Sequence, residues 1–110
     1  MTRPTLAAFA ALFALAAASA AAAEPVTVTL QTPLPAKMRV IAGGAAFQCE
    51  AAVCVAAQPG SRTFAAATCH DLAKAVGPIT AFQVPSKALD ARKLDQCNAG
   101  ATSPAQLANR

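Results

Sequence analysis

Apolar and polar residues alternate through Val26-Thr27-Val28-Thr29-Leu30, the period of a strand that buries one face. QTPLPAK follows, and Pro33 and Pro35 make it a connector. Met38 and Val40 flank Arg39 in a second short alternation, which Gly43-Gly44 ends or bends. Ala45, Phe47 and Cys49 then share one parity, and Cys54 and Ala56 share another beyond a turn at Glu50 to Ala52. This predicts a hairpin in which Cys49 and Cys54 face each other across the ladder.

The period changes after the turn residues Gln58 to Ser61. Ala65, Cys69, Leu72 and Val76 fall on one helical face, predicting a helix over Thr63 to Val76 that begins near Ser61 or Arg62. Gly77-Pro78 stops it, glycine supplying a left-handed cap and proline forbidding continuation. ITAFQV reads as a strand of ambiguous facing, since Ile79 and Ala81 share a parity while Phe82 and Val84 take the other. Pro85-Ser86 turns the chain and Lys87 to Leu89 returns beside it. Asp90 is placed as an N-cap between Leu89 and Leu94, the spacing of a hydrophobic staple, and the helix it opens carries Cys97 and stops at Gly100. The tail ATSPAQLANR shows no pairing pattern and is expected to be disordered.

Composition alters this picture at the N-terminus. Residues 1–23 have the layout of a secretory signal peptide: Arg3, the apolar run TLAAFAALFALAAA, then small residues that suit cleavage after Ala20 or, by preference, after Ala23. Removing it leaves three of the five phenylalanines, Phe47, Phe64 and Phe82, and no Trp or Tyr, so large apolar side chains are scarce. Domains this small often need covalent support. All four cysteines lie beyond residue 23, and an even count in an exported small domain reads as two disulfides in an oxidising compartment. Of three connectivities, the reading favours Cys49 with Cys54 and Cys69 with Cys97. The second closes a loop of about 29 residues, worth about 3–4 kcal/mol by chain entropy.

Charge excludes more than it assigns. The nine Lys and Arg are scattered and not interleaved with aromatics, so no nucleic-acid footprint is expected. Cys69-His70-Asp71 lists a nucleophile, a base and an orienter, but neighbours on a helix project about 100° apart and do not form a relay. Cys49 and Cys54 lack the C-x-x-C spacing of a redox motif. Zinc on the four cysteines, or on three with His70, competes with oxidation in an exported chain. Glu24, Glu50, Asp71, Asp90 and Asp95 form no obvious acid–base pair, and Gly43-Gly44 is no phosphate loop.

One stretch resembles a known group. Phe47, Cys49 and Cys54, then Arg62, Cys69, Leu72-Ala73 and Val76-Gly77-Pro78, then Ala81-Phe82, Lys87 to Asp90, Leu94 and Cys97-Asn98 follow a pattern similar to that of small exported alphaproteobacterial proteins found in caulobacters and sphingomonads. The resemblance covers Phe47 to Asn98 and implies an envelope protein of unknown function, with no catalytic residues to carry over.

The expectation is an α+β fold, a small antiparallel sheet with two short helices, disulfide-stapled. Its divisions are a signal peptide at 1–23, N-terminal strands and a Pro-rich connector at 24–44, a stapled domain at 45–100 and a disordered tail at 101–110. In function it is expected to be a non-enzymatic periplasmic or secreted interaction module. It would act on an envelope or protein partner, without cofactor or metal and without a stable membrane anchor once the signal is cleaved. The alternative is a thiol-disulfide redox factor using Cys49 and Cys54.

Overall fold

The computed structural model describes residues 24–103 and 105–106. The signal peptide expected at 1–23 and the last residues of the tail lie outside them. Six strands form one antiparallel sheet: β1 (Val26–Leu30), β2 (Met38–Ala42), β3 (Ala45–Glu50), β4 (Val53–Ala56), β5 (Ile79–Val84) and β6 (Lys87–Ala88). Their spatial order is β2-β3-β4-β1-β5-β6. Helices α1 (Ala66–Val76) and α2 (Ala91–Asn98) cover one face, so the expected α+β class is the one found.

The strand with the cleanest alternation, β1, sits inside the sheet, between β4 and β5. Val26, Val28 and Leu30 are buried beneath the helices while Thr27 and Thr29 face the other way. The Pro-rich connector after it is tied to the β3–β4 turn, since the amides of Leu30 and Leu34 donate to the carbonyls of Ala52 and Ala51 at 2.8 and 2.9 Å. Gly43 and Gly44 end the second strand as expected, by turning it. At φ +57° and +74° they form a two-residue turn of left-handed residues, the twist that suits a β-hairpin, and carry β2 directly into β3. Gly43 is further constrained by space, because a Cβ there would meet Thr68 Oγ1 at 2.2 Å.

A bulge resolves the facing of β5. Thr29 pairs with Ala81 but Leu30 pairs with Ile79, so β5 holds one residue more than β1 at that step. The extra residue lets Ile79 on one side, and Phe82 and Val84 on the other, all turn inward despite their opposite parity.

Helix α1 begins later than expected, at Ala66 with Ala65 as N-cap, and not at Thr63 with Ser61 or Arg62 near its start. The cause is Thr63, wholly buried, whose hydroxyl accepts from the Gly60 amide at 2.8 Å and donates to the Gly43 carbonyl at 2.9 Å. Those bonds hold residues 60–65 in turns against the β2–β3 hairpin. Gly77 closes the helix as expected, but at φ 89° and ψ −172°, with its ψ extended, as suits a residue before proline, in a region open almost only to glycine. Asp90 caps α2 by accepting from the Lys93 amide at 2.9 Å, with Leu89 buried and Leu94 half-buried on the staple side.

The start of the C-terminal tail is not without a partner. Thr102 donates from its amide to the Ala73 carbonyl at 3.1 Å and from its hydroxyl to the Lys74 carbonyl, and Ala101 packs on the core. Helices end with carbonyls that no further turn can satisfy; this segment supplies a donor to one of them, that of Lys74, and a second donor to that of Ala73, which already accepts from the Gly77 amide at 2.9 Å.

Candidate functional site

The four cysteines form two bridges, in the favoured pairing. Cys49 and Cys54 are direct cross-strand partners on β3 and β4, with Cα atoms 4.0 Å apart. The turn between them is only Ala51-Ala52, so Glu50 and Val53 form the hydrogen-bonded closing pair, and the next pair is the close, non-bonded kind that brings side chains together. Cys69 on α1 and Cys97 on α2 are joined with Cα atoms 5.1 Å apart. Both bridges lie in the core: Cys54, Cys69 and Cys97 are fully buried and Cys49 is 2% exposed.

Asn98, next to Cys97, completes the lower junction. Its carboxamide accepts from the Ile79 amide and donates to the Ile79 carbonyl, both at 2.8 Å, acting as a short strand partner for the first residue of β5. The bridge and this amide pair together fix α2 to α1 and to the sheet. In the sequence Asn98 is marked only as the residue after a cysteine. A side-chain amide pairing with backbone leaves no periodic trace.

The other singled-out side chains do not converge. His70 and Asp71 lie at the surface with Nδ1 and Oδ1 3.9 Å apart, while Cys69 beside them is bridged on the inward face. Among the described residues, no group of three or more His, Cys, Asp or Glu is arranged to hold a metal ion. Lys37 pairs with Glu50 at 3.6 Å, but both are well exposed, where such a pair contributes little. At the far end Lys87 lies 4.8 Å over the Phe64 ring, which itself packs on Phe82 at 5.7 Å between centroids. Nearby, Glu24 accepts from the Ser86 hydroxyl at 2.6 Å and ties the start of β1 to the β5–β6 turn.

What the fold leaves open is the face of the sheet turned from the helices. Across β2, β3 and β4 it carries Arg39, Ile41, Gln48, Val53 and Val55. A shallow hollow of 530 Å³ lies there, lined by Lys37, Gln48, Cys49, Glu50, Val53 and Val55, and one of 330 Å³, which Arg39 lines, adjoins it at Gln48. Ile41 at 68% and Val53 at 42% are the large apolar side chains most exposed among the described residues, and both lie on this face.

These features define a small α+β domain in which one bridge staples a hairpin and the other staples two helices. The chain belongs to a family of unknown function (DUF8200), which it matches over residues 7–99. The match includes the whole Phe47 to Asn98 stretch with all four bridged cysteines. No curated protein and no solved structure matches the chain.

Proposed function

We propose that this is an exported protein of an oxidising compartment, periplasmic or secreted, which acts without catalysis as an interaction module for an envelope or protein partner. The observation that carries the reading is the pair of buried disulfides. A domain with three phenylalanines beyond its apolar N-terminal run draws a large share of its stability from bridges that a reducing cytosol would not maintain. The run itself, preceded by Arg3 and followed by Ala21-Ala22-Ala23, supports export by a cleaved signal, and the family match begins within it. Relatives are then taken to be small exported alphaproteobacterial proteins, as the resemblance over Phe47 to Asn98 implies. Neither nucleic acid nor a lasting membrane anchor belongs to the reading.

Redox chemistry is not favoured. An exchanging thiol must be accessible and held as thiolate, whereas Cys49 and Cys54 face the core beneath the helices. The test is mass spectrometry of the protein isolated from the native envelope, with free thiols trapped before lysis. The expected result is a chain beginning near Glu24 with both bridges fully formed. A chain retaining its first 23 residues and found in the cytosol defeats export, and a trapped thiol or mixed disulfide at Cys49 or Cys54 reinstates the redox reading.

A further inference from the structure

The outer edge of β2 combines three properties that meet nowhere else in the sheet. It is one of two edge strands, and the other, β6, is only two residues long. The β2–β3 turn is closed by the Ala42–Ala45 pair, so Ala42, Val40 and Met38 direct their backbone groups to β3. Alternation therefore turns the N–H and C=O of Arg39 and Ile41 outward, to an edge on which no strand lies. The same two residues place their side chains on the open face, one cationic and one the most exposed large apolar side chain among the described residues.

Such an edge is a template for an added strand. Charge decides which strand. Lys37, just before β2, is already paired with Glu50 at 3.6 Å, whereas among the described residues no carboxylate lies within ion-pair distance of Arg39, within β2. A second copy joined edge to edge in antiparallel fashion brings the two Arg39 side chains onto the same ladder, where like charges oppose pairing. An extended segment bearing Asp or Glu meets the Arg39 guanidinium and places an alternate apolar side chain beside Ile41.

We infer that β2 accepts an extended acidic segment of a partner protein as a seventh strand, through the outward backbone groups of Arg39 and Ile41. The inference rests on the interaction role proposed above and gives it a surface and a partner chemistry.

The test uses the oxidised protein with both bridges formed and, as probe, a capped seven-residue peptide alternating valine and glutamate, with its valine–lysine counterpart as control. Binding is followed by nuclear magnetic resonance, with hydrogen exchange read at the Arg39 and Ile41 amides. The glutamate peptide is expected to saturate below about 1 mM, to slow exchange at those two amides, and to bind about tenfold more tightly than the lysine peptide. Ile41→Pro removes an outward N–H that β3 does not use and should abolish binding. Arg39→Glu should reverse the preference between the two peptides, with the fold kept. Absence of saturable binding, equal affinity for the two peptides, or protection elsewhere in the sheet overturns the inference, as does concentration-dependent self-association through β2. Because the assay reads strand addition on the folded domain, its failure leaves the measurement of export and bridge formation to stand or fall separately.

Discussion

The two faces of the sheet are built by the same strands and meet opposite surroundings. Towards the helices, Val26, Val28, Phe47, Cys49, Cys54, Ile79 and Phe82 are almost completely removed from water. On the other side, Thr27, Thr29, Gln48, Val53, Val55 and Gln83 remain wholly or partly exposed. The alternation is the same on both sides. Its chemistry differs because the bridge between the helices, the Asn98 amide pair and the Asp90 cap all hold α1 and α2 over one face, and no described element lies over the other. Stability is therefore concentrated on the helix side, and the open side is left available for contact.

That contrast breaks most visibly at Phe82. Truncation by Phe82→Ala removes a fully buried ring packed on Phe64, and a loss of about 3–5 kcal/mol in denaturant unfolding is expected. A loss below about 1 kcal/mol would mean that the inner face is not the core.

The two bridges give the next largest effect and sharpen the comparison. Cys69 and Cys97 are 28 residues apart in sequence and Cys49 and Cys54 only 5. Chain entropy assigns the first about 3–4 kcal/mol and the second about 2 kcal/mol. The double replacement Cys69→Ala with Cys97→Ala should lower the melting temperature more than Cys49→Ala with Cys54→Ala. The reverse order would place the weight of the fold in the hairpin.

The smallest effect belongs to the open face. Ile41→Thr keeps β propensity and buries nothing new, so stability should stay within about 0.5 kcal/mol of the parent in the same unfolding assay. A larger loss would show that Ile41 contributes to packing, and would undercut its use as an exposed contact.

Much of the fold was legible because local patterns are strong where one face is buried. The alternation of VTVTL, the hairpin parity of Cys49 and Cys54, the helical spacing of Cys69, Leu72 and Val76, and Asp90 between two leucines all describe elements found in place. What escaped was non-local. The start of α1 depends on Thr63 bonding to Gly43, 20 residues earlier, and the tail's anchorage depends on Thr102 reaching α1. Gly43-Gly44 marks an end or bend of the second strand, which is found there, but glycine pairs serve turns and breaks alike, and only the pairing of the flanking strands shows that this one is a hairpin turn.

By itself, then, the amino-acid sequence determined the elements, the inward face of nearly every one of them and the favoured pairing of the cysteines, because periodicity and spacing act within a few residues. Tertiary structure alone decided that β1 lies inside the sheet and that one extra residue in β5 turns Ile79, Phe82 and Val84 all to the core. It also decided that β2 is left as the long free edge. Strand order and edge exposure follow from which distant segments bury each other's apolar faces, and no local pattern encodes that competition.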